Sequence, residues 1–189
     1  METKVELRNK YRAKRRRFSV EERETLSLAI VHQVTDYLTK RQELHHIHIF
    51  LPIAKLNEID TIPLIERLLE KGLDLYTSAT DFRTQKMATV KLKAPLDTHM
   101  DEFGIPVPVL REPAVVDHIQ MVLIPLLAYD LEGNRLGYGM GFYDRFLQSL
   151  PQQVVKAGVS FFPPEKMIPS ENHDIKLDIC FTASEVYQF

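Results

Sequence analysis

The sequence predicts an α/β fold: a three-layer sandwich with a mostly parallel central sheet and helices on both faces. Short apolar segments typical of buried strands alternate along the chain with longer segments of helical periodicity. The most apolar segment, MVLIPLLAYD at residues 121–130, shows no polar alternation, which predicts a central strand buried on both faces. With 189 residues, 44% of them hydrophobic and 26% charged, residues 1–189 are expected to form a single domain.

The N-terminal part predicts two helices and a strand. Residues 4–17 contain neither Gly nor Pro and predict a basic helix over about 3–17. Ser19 and Glu22 have the spacing of a capping box, so a second helix is expected from there to about residue 40. HHIHIFLP at 45–52 predicts the first core strand.

The later elements follow the same alternation. Asp60 or Thr61 is predicted to cap a third helix that ends at Gly72, and Gly141 to Leu150 predicts a fourth. Further strands are predicted at 73–79, 87–93, 121–130, 154–161 and 177–183, with the proline-containing residues 94–117 mostly irregular. The loops after the strands at 45–52, 74–79, 120–128 and 154–160 are expected to converge on one site, because ligands of parallel sheets bind at the carboxyl ends of the strands.

Composition excludes several classes of protein. No apolar run reaches 18 residues, which predicts no membrane span. The basic N-terminus lacks the apolar stretch of a secretory signal, and Glu2 and Glu6 disfavour a transit peptide. The single Cys180 cannot form an internal disulfide and is expected to be buried. We therefore expect a cytoplasmic protein without a membrane partner, and a monomer is sufficient.

Charge is spread unevenly. Residues 1–17 hold eight bases and two acids, whereas the whole chain has a net charge of −2. Three interpretations stay open for this basic helix: a solvated face, an arm that binds nucleic acid, or bases that reach into a site for an anionic ligand.

The segment GNRLGYGMGFYDRF at 133–146 makes the most specific chemical suggestion. It contains four of the seven glycines of the chain, and those at 137, 139 and 141 allow a phosphate to approach the backbone. Arg135 adds a planar, multi-donor cation suited to phosphate oxygens. The spacing matches neither the P-loop nor the dinucleotide-binding motif, so a turn needed only for tight packing stays an alternative.

Nearby charged residues fit the same chemistry. Asp144 on the following helix and Asp174 before the last strand are candidate Mg²⁺ ligands, although a helix-dipole role and a turn role are the plain alternatives. Lys4 and Arg8 lie four residues apart on one helix face and form a candidate phosphate clamp, with solvent exposure as the alternative. His46 and His48 share one strand face but lack a third ligand, so packing is the better interpretation of both.

Taken together, these segments resemble the 5-formyltetrahydrofolate cyclo-ligases, also called 5,10-methenyltetrahydrofolate synthetases. The resemblance rests on IPLLAYDLEGNRLGYGMGFYDRFL, the N-terminal K-x-x-x-R of Lys4 and Arg8, the FLP…NEIDT segment, FGIP, and the closing HD-x-K-x-D. It implies conversion of 5-formyltetrahydrofolate to 5,10-methenyltetrahydrofolate with ATP and Mg²⁺, giving ADP and phosphate. It also implies small-molecule partners only, a reduced folate and ATP, and no nucleic acid.

The resemblance further implies roles for individual residues. Arg135 and Lys4 are the expected catalytic residues, and Asp144 and Asp174 the expected metal ligands. The expected ATP-binding residues are Lys4, Arg8, Arg135, Leu136, Gly137, Tyr138, Gly139, Met140, Gly141, Phe142 and Tyr143. The expected folate-binding residues are Leu51, Glu58, Phe103, Tyr138, Gly139, Met140, Gly141 and Phe142. The loop after Leu51 is slightly longer than in some relatives, which leaves Asp60 as an alternative to Glu58.

The chain departs from the family pattern at four of these positions. Tyr138 and Met140 stand where some members carry Arg and Lys, so two cations are missing there. Phe142 replaces a tyrosine of many members, and Phe103 stands where some have a Trp. The shared core of cations, glycines and Asp144 is retained.

Two other functions would use parts of the same sequence. An enzyme of the same fold that acts on a sugar phosphate or a CoA ester would use the glycine-rich loop but gives Lys4 and Arg8 no clear role. An RNA-binding module would need aromatic residues interleaved with the bases, and the basic segment offers only Tyr11 and Phe18.

Overall fold

A computed structural model describes residues 2–81, 83–84 and 86–189, with the backbone alone for Lys86. It has four α-helices among these residues: α1 (Lys4–Arg16), α2 (Val20–Thr39), α3 (Ile62–Glu70) and α4 (Phe142–Gln148). The described strands are β1 (His46–His48), β2 (Asp74–Asp81), β3 (Lys86–Lys91), β4 (Thr98–Met100), β5 (Pro106–Pro108), β6 (Glu112–Pro113), β7 (Met121–Pro125), β8 (Ala128–Tyr129), β9 (Arg135–Leu136), β10 (Val155–Val159), β11 (Ile179–Phe181) and β12 (Val186–Gln188).

One large sheet organises the molecule, with the strand order β12-β11-β10-β7-β1-β2-β3-β6. The five strands from β11 to β2 are parallel, and β12, β3 and β6 join antiparallel at the two edges. Strand β7 lies in the middle, where Leu123 pairs with Ala157 and Met121 with Ile47. The prediction of a mostly parallel sheet with a central strand at MVLIP is confirmed.

Helices cover both faces of this sheet, as the sequence predicts. Apolar residues of α2 and α3, including Val34 and Ile65, pack on one face with Ile47 of β1. Phe146 and Leu147 of α4 pack on the other face. Helix α1 instead packs on the small β8–β9 ribbon, where it contacts Ala128 of β8 and Leu136 of β9.

The predicted helix ends have the expected chemistry. Ser19 and Glu22 form a complete capping box at the start of α2. At the start of α3, the Oδ1 atom of Asp60 accepts the N–H of Ile62, and Thr61 occupies the N-cap position while its hydroxyl donates to a backbone carbonyl. The chain leaves α3 through Gly72, whose φ of 78° is the left-handed conformation that favours glycine.

Four expectations about strands are corrected. The strand predicted at 45–52 covers only β1, and the one predicted at 121–130 ends at Pro125, after which the chain turns into the β8–β9 ribbon. Residues 94–117 contain the β4–β5 hairpin and β6, because prolines are tolerated at such short edge pairings. Strand β12 adds an unpredicted edge after β11.

Two further expectations concern the membrane and Cys180. Among the described residues, no helix combines the length and the apolar character needed to cross a bilayer. Cys180 is fully buried in β11 with a free thiol.

Candidate active site

A cavity of about 740 Å³ lies at the carboxyl ends of β1, β2 and β7. The predicted site residues, from both ends of the chain and from the glycine-rich segment, all line it: Lys4, Arg8, Leu51, Glu58, Phe103, Arg135, Leu136, Gly137, Tyr138, Gly139, Met140, Gly141, Phe142, Tyr143, Asp144 and Asp174. The loop after β10 contributes as expected, since its residues Glu171, His173 and Asp174 line the cavity. The fold thus brings the predicted residues together, while their individual roles stay predictions.

Arginine side chains of the basic helix α1 hold the glycine-rich loop by donating to backbone carbonyls of the loop. The Nε atom of Arg8 donates to the carbonyl of Gly137 at 3.0 Å, and Nη2 of Arg12 donates to the carbonyl of Tyr138 at 3.3 Å. Arg15 reaches the Tyr138 hydroxyl at 2.7 Å. These arginines share one helix face because they follow the i, i+4, i+7 pattern. Of the three interpretations of the basic segment, the structure therefore matches the one in which bases face a site.

Two glycines of this loop have conformations that other residues rarely adopt. Gly139 has a φ of 98° and Gly141 a φ of 66°. A Cβ atom at Gly139 would lie 3.1 Å from Cζ of Arg8, so this glycine also lets the guanidinium approach. At Gly137 a Cβ atom would meet nothing within 4 Å, so space for a ligand exists beside the backbone there.

Charged side chains alternate in sign along the cavity wall. The Nζ atom of Lys4 lies 2.7 Å from Oδ2 of Asp174 and 2.9 Å from Oε1 of Glu171. Nη2 of Arg135 lies 2.6 Å from Oδ1 of Asp144. Each expected metal ligand is therefore paired with an expected ATP-binding cation.

Burial and ion pairing have opposite effects on the pKa values of Lys4 and Asp174. Burial disfavours the charge on Lys4, but bonds to Asp174 and Glu171 outweigh it and raise the pKa of this lysine. Burial likewise opposes ionisation of Asp174, but the ammonium of Lys4 and the N–H of Glu171 lower the pKa of this carboxyl overall. Both groups are therefore charged at neutral pH.

One hydrogen-bond donor of the Arg135 guanidinium is unused by the described residues. Its side chain is only 5% exposed, and its Nη1 atom is buried without a hydrogen-bond partner within residues 2–81, 83–84 and 86–189. Burial lowers the pKa of its guanidinium, while Asp144 and Asp174 counteract this. A buried, unsatisfied cationic N–H on a cavity wall is a group that an anionic ligand would satisfy.

The two carboxylates fit a magnesium ion that is shared with phosphates. In the described part of the chain no three His, Cys, Asp or Glu side chains are placed to hold a metal by themselves. Mg²⁺ commonly uses one or two carboxylates and completes its shell with phosphate oxygens and water. Asp144 and Asp174 provide such a partial set, since both line the same cavity.

The cavity lining also includes apolar side chains and the buried acid Glu58. Glu58 is only 8% exposed, and its Oε2 atom accepts the N–H of Ile53 at 2.8 Å. Asp60, the alternative, accepts the N–H of Ile62 at the start of α3 and is not among the described lining residues, which favours Glu58. Phe103 lies in the turn between β4 and β5, and Lys55 donates to its carbonyl.

Sequence reasoning missed several residues around the cavity. Thr77, Ser78 and Thr80 line it from β2, where their polar character in an apolar strand was the available signal. His48 is fully buried with Nε2 at 2.7 Å from the Ser78 hydroxyl, and burial lowers its pKa to about 3. Together with His46, which bonds the Tyr76 hydroxyl, it is packed as predicted.

Comparison with known proteins gives a consistent result. The model of the 5-formyltetrahydrofolate cyclo-ligase family matches residues 1–183. The mouse 5-formyltetrahydrofolate cyclo-ligase is 27% identical over 91% of this chain and 89% of its own length. The Escherichia coli K12 protein of that name is 30% identical, covering 77% of this chain and 81% of its own.

Solved structures agree with the sequence matches. The Aquifex aeolicus 5,10-methenyltetrahydrofolate synthetase superposes with a TM-score of 0.82 at 30% identity, over 98% of this chain and 92% of that one. The Mycoplasma pneumoniae 5,10-methenyltetrahydrofolate synthetase shares the fold with a TM-score of 0.73 at 21% identity, over 96% and 99% of the two chains. With its fold, its cavity and a family match along nearly its whole length, this chain belongs to the 5-formyltetrahydrofolate cyclo-ligase family.

Proposed function

We propose that this protein converts 5-formyltetrahydrofolate to 5,10-methenyltetrahydrofolate in an ATP- and Mg²⁺-dependent reaction that releases ADP and phosphate. One observation carries the proposal in this chain: the lining of a single cavity combines cations and glycine backbone with Leu51, Phe103 and the buried Glu58. The first group of residues suits a polyphosphate, and the second suits a flat ring with N–H donors.

The nucleotide is assigned to the wall built by α1 and the glycine-rich loop. Lys4, Arg8 and Arg135 supply positive charge, and the backbone from Leu136 to Tyr143 borders the same space. We assign the Nη1 atom of Arg135, which is buried without a hydrogen-bond partner in the described residues, to a phosphate oxygen. Arg135 and Lys4 are the groups proposed to stabilise charge on the transferred phosphoryl group.

Magnesium is assigned to Asp144 and Asp174. The ion would neutralise phosphate charge, which is the chemistry that phosphoryl transfer needs from a metal. Binding of a nucleotide with its metal would replace the Lys4–Asp174 and Arg135–Asp144 pairs by contacts from lysine and arginine to phosphate and from the acids to the metal.

The reaction itself requires positioning more than nucleophilic side chains. A formamide carbon is a poor electrophile, so the formyl oxygen first attacks the γ-phosphorus of ATP, and ADP leaves. N10 then attacks the activated carbon, the C–O bond breaks, phosphate departs and N10 loses its proton. The protein must hold the formyl oxygen in line with the γ-phosphate and exclude water. We assign the contact with the folate to the part of the cavity that Leu51 and Phe103 line.

The direct test is turnover. Protein mixed with 5-formyltetrahydrofolate, ATP and Mg²⁺ should produce the methenyl chromophore and an equal amount of phosphate. Omission of ATP or chelation of Mg²⁺ should abolish both signals. If a folded preparation yields neither product, the proposal is wrong.

Neither of the two alternative functions has support in the comparisons. Neither a sugar phosphate, a CoA ester nor RNA occurs in the names of the matching proteins. Four bases of α1 that an RNA arm would need, Lys4, Arg8, Arg12 and Arg15, are bonded to the protein itself. We also propose that a monomer is active, and we keep a cytoplasmic location as a prediction.

A further inference from the structure

A chain of polar contacts joins three segments that the sequence separates: α1, the glycine-rich loop and the loop after β1. Nη1 of Arg15 donates to the Tyr138 hydroxyl at 2.7 Å. That hydroxyl interacts in turn with the carboxylate of Glu58, and both residues line the same cavity. Arg15 and Glu58 are 2% and 8% exposed, so water contributes little to the contacts between them.

Arg15 is a fixed anchor for this chain of polar contacts. Its Nη2 atom donates to the carbonyl of Leu126, directly after β7, and its guanidinium lies 5.6 Å from the centre of the Phe161 ring. The planar fork of an arginine is suited to such a double contact, whereas lysine has a single ammonium. A buried cation of this kind is costly unless an anion compensates it, and Glu58 is the acid that faces it through Tyr138.

We propose that Arg15 and Tyr138 are positioning residues that hold the Glu58 carboxylate ionised and directed at the folate side of the cavity. The inference rests on the proposed function, because it takes Glu58 as a folate contact. The Ile53 N–H donates to the carboxylate and the Tyr138 hydroxyl interacts with it, so the carboxylate has a set orientation. Its remaining lone pairs stay available for N–H donors of a reduced folate. Tyr138 also belongs to the glycine-rich loop, so it links the residues assigned to the nucleotide with those assigned to the folate.

The charge balance around Glu58 supports this role. Burial raises the pKa of its carboxyl, and the Tyr138 hydroxyl, the Ile53 N–H and the charge of Arg15 counteract the rise. Tyr143 of α4 also faces Glu58, which contributes to raising the pKa of that phenol. Removal of the Tyr138 hydroxyl therefore takes away a group that favours the ionised carboxylate, and Glu58 should then accept a proton at higher pH.

The test compares Tyr138→Phe with the wild type. We expect the variant to raise the KM for 5-formyltetrahydrofolate and its Kd by calorimetry about tenfold, the loss typical of one hydrogen bond to a charged group. The KM for ATP should change less, because the variant keeps the backbone of residue 138, which is the part assigned to the nucleotide. The acid limb of kcat/KM for folate should move to higher pH. Tyr187→Phe is the matched control, because it removes a hydroxyl that donates to Glu185 far from the cavity, and it should change none of these values.

A double-mutant cycle with Glu58→Gln separates positioning from a general structural effect. If Tyr138 acts through Glu58, the double variant should bind folate no more weakly than Glu58→Gln alone. Additive losses, an unchanged folate Kd in Tyr138→Phe, or an unmoved acid limb would overturn the inference. If thermal unfolding shows that Tyr138→Phe does not fold, Arg15→Lys replaces it with the same expected shifts. A wild type without turnover that still binds folate would refute the proposed function, while the binding measurements would still test this inference.

Discussion

Replacement of Arg135 by Lys should selectively damage the use of ATP. Arg135 has one nitrogen bonded to Asp144 at 2.6 Å and another buried without a partner in the described structure, and the proposal gives that second nitrogen to a phosphate oxygen. A lysine ammonium keeps the charge but cannot reproduce this fork. Loss of one hydrogen bond between charged groups costs about 1.5–3 kcal/mol, which corresponds to a fall of about tenfold to a hundredfold in kcat/KM for ATP. With a side chain only 5% exposed, water cannot replace the missing donor.

The assay is steady-state turnover with ATP and folate varied separately, together with calorimetry of a non-hydrolysable ATP analogue. The folate KM should stay at its wild-type value. Arg23→Lys is the control: Arg23 also has one hydrogen bond, to Asn57 at 2.8 Å, and a buried Nε atom that lacks a partner among the described residues, but it lies outside the cavity wall. If Arg135→Lys folds and retains wild-type kcat/KM for ATP, or if its folate KM rises as much as its ATP KM, the assignment of Arg135 to the nucleotide is refuted.

Three further predictions concern stability. In Gly158→Ala, the new Cβ atom would lie 2.7 Å from two leucine side chains, so we expect overpacking of about 1–3 kcal/mol and a Tm lower by about 2–12 °C in thermal unfolding. Lys4→Met should lower Tm between pH 3.8 and 10.5, because the lowered pKa of Asp174 and the raised pKa of Lys4 make their pair stabilising in that window. This difference from the wild type should shrink as pH falls below or rises above the window, and a pH-independent difference would contradict it. The folded state keeps His48 neutral down to about pH 3, whereas the unfolded chain takes up a proton near pH 6.5. As pH is lowered from 6.5 to 3, the free energy of unfolding should therefore fall by up to about 1.4 kcal/mol per pH unit. His48→Gln should show a shallower fall in denaturant titrations, and an equal slope would show that His48 is not responsible.

The layers of the fold could be predicted because their signals are local. The capping box at Ser19, the apolar run that contains β7 and the glycine after α3 each act within a few residues. The β8–β9 ribbon could not be predicted, because its pairing of Tyr129 with Arg135 lies inside what looks like one strand followed by a loop. The short edge strands β6 and β12 also depend on partners that only the folded sheet provides.

The candidate site shows the same division. The residue types of the glycine-rich segment and its family resemblance identified the lining residues, and the cavity brings them together. The sequence could not predict which of these residues pair with each other. Lys4 and Asp174, for example, are 170 positions apart, and either side chain could equally have faced solvent. Arg15 looked like one more base in a basic run, and only the docking of α1 shows that it is buried.

The central claim is that this cavity couples ATP to ring closure through the formyl oxygen. The most direct measurement uses 5-formyltetrahydrofolate labelled with ¹⁸O in the formyl group and analyses the released phosphate by mass spectrometry. The account predicts that each phosphate formed during turnover carries the label, because the formyl oxygen takes up the γ-phosphoryl group and leaves with it. Unlabelled phosphate formed together with methenyltetrahydrofolate would mean that water, not the formyl oxygen, accepts the phosphoryl group, and would contradict the account.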